Sequence, residues 1–338
     1  MVDVVSRGFV DVVAAVKLAF VIVFLPAYVV LIWLFARHPI FKSNIVYHIM
    51  LHMGIMNCFH LVTTAYACVM DYAPTAFYFY AVMACSYLRY SHTWAIPLLN
   101  LILAANRLLV ILRLSSAKDA VTKASVTEFE EFVLLCSQYT LPLMSVTQIL
   151  FNVFHTSIYL VWATVLTFPV LFYISKIEAT YKVHVHSYTH EEQNPLAVAL
   201  TYFSLSINAA TLLAYVALVA GIAYQRFLYN KATKISSVEG RVILQAVLTF
   251  VLFSGTATAG NYFPEEASPY VTTIFAAFLV MIPCFVFLIH VGFNPLVRHH
   301  FVNFLLPGKS VSSSHVFHVD NTRSKASNAT RRSSILPS

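Results

Sequence analysis

Histidine is the residue in this chain most able to do chemistry, and it comes in pairs. His48 and His52 stand four apart, His186 and His190 repeat that spacing beside His184, and His299 and His300 are adjacent. Four-residue spacing stacks two imidazoles on one helix face, as in the boxes that hold paired irons in membrane hydroxylases. A shared centre needs every ligand within about 2.0–2.3 Å of a metal. With the helices laid across a bilayer, His48 and His52 fall toward the cytoplasm and 184–190 outside, so they cannot share one. No metal, no cofactor and no enzymatic activity is expected. A separate zinc site at His184, His186 and His190 stays open against the plainer reading of a solvated loop.

Asn106-Arg107 is the second feature. Arginine is costly in hydrocarbon, so Arg107 should sit at the inner interface, snorkelling to lipid phosphate, or face the bundle interior. Arg89 precedes it by 18 residues, about 27 Å along a helix axis, which puts it near the outer interface. His92 and Trp94 lie about a turn deeper, and Tyr202, Ser206 and Asn208 belong to the outer half of a later helix. Together they form a candidate ligand pocket, although packing or anchoring explains any one of them. The five cysteines, Cys58, Cys68, Cys85, Cys136 and Cys284, lie in or beside apolar segments. They form no disulfide framework; Cys68 and Cys85 could pair, but free buried thiols are the commoner state.

The elements that carry these residues are long apolar runs. The 338-residue chain is 59% hydrophobic and 10% charged, and a bilayer crossing takes about 20 apolar residues. The runs predict helices over 12–36, 44–70, 79–112, 157–175, 196–224, 241–260 and 269–291. They end at breakers such as Arg37-His38-Pro39 and Asp71-Tyr72-Ala73-Pro74. Residues 132–153 are apolar too, but an eighth crossing would reverse the charge bias of the second half. With seven crossings and an outer N-terminus, sixteen of the twenty-one basic residues lie inside and five outside. Such a bias sets orientation. The stretch 114–150 becomes an oversized cytoplasmic connection, either a membrane-skimming helix or intronic sequence retained in the chain. Residues 12–36 read as a signal anchor rather than a cleavable leader. Asn294 and Pro295 would cap and start a short interfacial helix with Val297, Phe301, Phe304 and Leu305 on one face. The division is thus a membrane domain over 1–307 and a disordered cytoplasmic tail over 308–338.

This arrangement resembles a G-protein-coupled receptor. Tyr47-His48-Ile49-Met50-Leu51-His52-Met53-Gly54-Ile55-Met56-Asn57-Cys58 is similar to the helix 2 pattern of nematode serpentine chemoreceptors. Leu103-Ala104-Ala105-Asn106-Arg107-Leu108-Leu109 resembles the Asn-Arg motif of their class gamma and class T families. The likeness spans 12–113 and 157–306 through short motifs. It implies an all-α, seven-transmembrane bundle with an interfacial helix after helix 7. It also implies that Asn106 and Arg107 couple to a heterotrimeric G protein and that Pro283 is the helix 7 proline. Departures are plain: Asn106 supplies no carboxylate, helix 2 has no aspartate, 176–194 has no cysteine, and Arg298 stands where Asn-Pro-x-x-Tyr has tyrosine.

The expected function is therefore chemosensory: a plasma-membrane receptor with an outer N-terminus and cytoplasmic C-terminus, binding a small molecule in its outer half. Lipid is a partner and nucleic acid is not; the basic pI suits anionic lipid. Arg331-Arg332 before Ser333 and Ser334 suits a basophilic kinase. A multi-pass transporter or channel is the alternative; it would show internal repeats or interrupted helices with paired charges at mid-depth, and the sequence has neither. A histidine-box hydroxylase comes third.

Overall fold

A computed structural model describes residues 6–42, 44–72, 79–124, 152–167, 170, 180–182, 187–189, 195–228, parts of 241–255, and 268–306. Arg7–Arg37 forms α1, Pro39–Lys42 the single turn α2, Ile45–Tyr72 α3 and Phe79–Ala124 α4. Residues 152–167 form α5, Pro195–Leu228 α6, and helical runs within 241–255, the longest at 247–252, form α7. Pro269–Phe293 is α8 and Pro295–Leu305 is α9.

Local chemistry sets the ends. His38 precedes a proline and takes extended backbone at φ −77° and ψ 127°, which stops α1. The Asn44 side chain accepts the Val46 N–H at 3.0 Å and opens α3. Asn294 does the same for Val297 at 3.2 Å, with Pro295 in the first turn of α9, as the sequence predicts. Between α5 and α6, Thr180–Lys182 (β1) pairs antiparallel with Ser187–Thr189 (β2), Tyr181 opposite Tyr188. The sequence reading treats this stretch as plain loop, yet Thr, Tyr and Val-rich segments favour strand.

Helix α1 packs along α3, α3 along α4, and α4 along α6, while α8 closes against α1 and α3. Gly54 permits the α1–α3 contact: a Cβ there would lie 3.2 Å from the Ile32 side chain. At one end, Tyr72 donates to the Asp11 carbonyl at 2.9 Å and the Phe9 and Tyr270 rings stand 5.1 Å apart. At the other end α9 folds under α1, with His38 to His300 at 4.2 Å and Trp33 to Phe304 at 5.1 Å. Tyr28, Leu31, Ile49, Met53, Leu99 and Val286 fill the core between them. Val12, Ile22, Leu213, Val216 and Leu288 point outward, giving the apolar exterior that lipid solvates.

The seven-transmembrane bundle is corrected here. Among the described residues four helices are long and apolar enough to cross a membrane: Arg7–Arg37, Ile45–Tyr72, Tyr202–Tyr224 and Tyr270–Phe293. The expected crossings over 79–112, 157–175 and 241–260 are not among them. In α4, Asn100, Asn106 and Arg107 interrupt the apolar run. The helix continues past its expected end at 112 to Ala124, and Arg113–Ala124 holds no glycine or proline to break it. Of the other two, residues 152–167 and 170 and parts of 241–255 are described. The serpentine chemoreceptor resemblance, class gamma or class T, loses the architecture on which it rested. Residues 125–150 and the tail 308–338 lie outside the described residues.

Candidate functional site

The most connected polar group in the molecule lies at mid-depth, where α1, α3, α4 and α8 meet. Asn57 is twelve residues into α3, about 18 Å from its start. Tyr28 on α1 donates its hydroxyl proton to the Pro283 carbonyl of α8 at 2.6 Å. Asn57 Nδ2 donates to the Tyr28 oxygen at 2.9 Å, and Asn57 Oδ1 faces His92 Nε2 of α4 at 3.0 Å.

The proton positions in this chain follow from one end. A carbonyl can only accept, so Tyr28 must donate to Pro283. The Tyr28 oxygen then accepts from the Asn57 amide, which leaves Oδ1 as the acceptor for His92. His92 must therefore carry its proton on Nε2. Four helices are tied by donors that all point the same way.

His60 stands beside the end of that chain. Its ring centroid is 4.4 Å from that of His92. The residue is 5% exposed, and neither ring nitrogen has a hydrogen-bond partner among the described residues. An unpaired buried imidazole costs free energy that a purely structural side chain would not retain. Arg89 lies near enough to act electrostatically on both His60 and His92. Further out, Lys17 is 1% exposed inside α1, with Asp71, Cys68 and Arg89 as its electrostatic neighbours. Ionisable groups inside a membrane domain are expensive and mark pathways more often than packing.

The expected ligand pocket is divided by this geometry. His92 and Arg89 join the mid-depth group. Trp94 is buried against Phe203 of α6, rings 5.7 Å apart and nearly parallel at 20°. Tyr202 and Ser206 are exposed, and Ser206 bonds back to the Tyr202 carbonyl. Asn208 turns toward α7, accepting from Ser254 at 3.3 Å. These residues do not converge. Pro283 is buried and contributes its carbonyl rather than a hinge. Asn106 is buried with its Oδ1 unpaired, while Arg107 lines a separate cavity at the α9 end.

The histidine pairs have structural partners. His48 Nε2 sits 2.8 Å from the Lys42 carbonyl, and His52 Nδ1 accepts the Trp162 indole N–H at 3.0 Å. Among the described residues no group of three His, Cys, Asp or Glu side chains could hold a metal ion. Cys68 and Cys85 are free thiols. His184, His186, His190, Cys136, Ser333 and Ser334 lie outside the described residues. Asn57, Tyr28 and His60 carry no motif of their own, and Lys17 counts in the sequence only as one of the five outer basic residues. The available signal was polar side chains at 57, 60 and 92 within otherwise apolar runs.

The fold and this site define the class: a multi-pass, mostly helical membrane protein. No protein-family profile matches the chain, and no curated protein matches it. The receptor function expected from Asn106-Arg107 is overturned with the seven-crossing bundle that carried it.

Proposed function

We propose that this chain is a multi-pass membrane transporter or channel that passes protons through the His60–His92 pair. The observation that carries the proposal is His60: buried at mid-depth, both nitrogens unpaired among the described residues, packed against a histidine that ends a polarised hydrogen-bond chain. Imidazole can take a proton on one nitrogen and release one from the other, so it relays charge with little side-chain motion. Histidine chains of this kind serve proton relays in membrane pumps and transporters. Pro26, Pro97 and Pro283 lie inside α1, α4 and α8, and each withdraws an N–H from its helix ladder. The helices run on through them, and at Pro283 the carbonyl takes the Tyr28 proton donor instead.

The proposed setting is the plasma membrane, with the N-terminus outside. Arg37, Lys42 and Arg298 share the α9 end, and such an excess favours the cytoplasm. Protons, alone or with a small-molecule solute, are the cargo; lipid is the surrounding partner, and no chemical transformation is assigned.

Proteoliposomes loaded with a pH-sensitive dye test this. Under a potassium diffusion potential the protein should acidify the lumen, and His60→Phe, close in shape, should lower the rate at least about tenfold, as loss of a positioned proton carrier does. Equal flux through wild type and His60→Phe, or none above empty vesicles, would overturn the proposal.

A further inference from the structure

A second buried polar group lies at the α9 end, and its chemistry is the opposite of the first. Arg107 of α4, Tyr215 of α6, Gln245 and Thr249 of α7, and His290 of α8 with Asn294 beyond it wall a common cavity. Val46, Met50 and Leu103 make its apolar side. Tyr47 and Tyr215 are the groups near enough to act on the Arg107 charge, and no carboxylate lines the cavity among the described residues. The donors are unused. The Tyr215 hydroxyl and the Thr249 hydroxyl are buried, at 4% and 2% residue exposure, with no hydrogen-bond partner. Asn294 has its carbonyl oxygen on Val297 and its amide on Tyr47 at 3.3 Å, so it caps the cavity rather than filling it.

We infer that this cavity binds a small monovalent anion of halide size, held by the Arg107 guanidinium and the Tyr215 and Thr249 hydroxyls. Charge decides the sign of the occupant. A guanidinium cannot lose its proton, and its neighbours offer O–H and N–H groups rather than a counter-charge. Charge-assisted hydrogen bonds from those groups would satisfy the two unpaired hydroxyls and neutralise the arginine in one step. Volume decides the size. The cavity holds about 20 Å³, room for about one water-sized occupant, which suits a monatomic ion. The site is separate from the His60–His92 pair and stands whether or not that pair conducts protons.

Thermal unfolding of the purified full chain tests it, with chloride replacing gluconate at constant ionic strength. Wild type should show a saturable rise of roughly 2–4 °C, and bromide should reproduce it. Arg107→Gln should abolish the rise. Tyr215→Phe and Thr249→Val, which keep the cavity's shape, should each weaken apparent halide affinity about tenfold. They keep the test valid if Arg107→Gln does not fold. A rise that never saturates, or that survives Tyr215→Phe combined with Thr249→Val, would overturn the inference and leave a water as the occupant.

Discussion

At mid-depth, Pro283, Tyr28, Asn57 and His92 form a chain in which each donor has a named acceptor, and only His60 is left over. At the α9 end, the Tyr215 and Thr249 hydroxyls lie beside Arg107 with no hydrogen-bond partner among the described residues. The first region uses polarity to bind four helices in one register and keeps a single imidazole in reserve. The second is incomplete until something negative enters. Polar burial therefore has two meanings in one membrane domain, and hydrogen-bond accounting atom by atom separates them. Burial alone does not: His60 and Tyr215 are about equally hidden.

The largest expected effect comes from cutting the satisfied chain. Asn57→Leu keeps the bulk but leaves the Tyr28 oxygen and the His92 N–H without partners. A loss of roughly 1–3 kcal/mol is expected, read as a lower unfolding midpoint in detergent. The same kind of cut at the α9 end, Thr249→Val, removes an already unpaired hydroxyl and should leave the midpoint in gluconate unchanged or raised. If the two substitutions cost the same, the distinction between the regions fails.

Next in size is the α1–α3 contact that lets the chain form. Gly54→Leu places side-chain atoms where a Cβ alone would already meet Ile32 at 3.2 Å and Tyr28 at 3.8 Å. Overpacking of this kind costs about 1–3 kcal/mol. It should also move Tyr28 away from Asn57, so combining it with Asn57→Leu should cost less than the sum of the two. Full additivity in unfolding measurements would separate the glycine from the chain.

Much of this frame was legible in the sequence. His38-Pro39, Asn294-Pro295 and the break after Tyr72 mark helix ends because proline and asparagine act locally. The site was not legible, for a physical reason. A helix that is apolar all round gives no periodic signal for which face turns inward, so nothing in α1 singles out Tyr28. Its acceptor on Pro283 is 255 residues away, a pairing that only tertiary packing creates. Crossing number was not legible for a related reason: basic-residue bias orients helices but does not count them. Arg107 was singled out by type and position, but the groups around it come from four other helices.

The smallest expected effect sharpens the picture of the α9 end. His300 packs against His38, and partial burial, then the neighbouring His38 and His299, hold its pKa below the ordinary histidine value. The unfolded state then binds a proton more readily, so docking of α9 gains stability as pH rises through the ordinary histidine range and loses it on acidification. Trp33, packed against Phe304 of α9, reports this by fluorescence. The Trp33 signal should shift between about pH 8 and about pH 5, roughly one and a half units either side of histidine's ordinary pKa, and His300→Gln should remove most of that shift. An unchanged titration in His300→Gln would assign it elsewhere.

The central claim is that His60 is left unpaired because a pathway reaches it. The most direct measurement is aqueous access in the membrane-embedded protein, using His60→Cys with the five native cysteines replaced. A small, charged, water-soluble thiosulfonate should modify the introduced thiol in intact proteoliposomes, whereas a thiol at the tightly packed Met53 should stay unmodified. If both positions resist the reagent until the protein is denatured, no aqueous path reaches His60, and the transport account is contradicted.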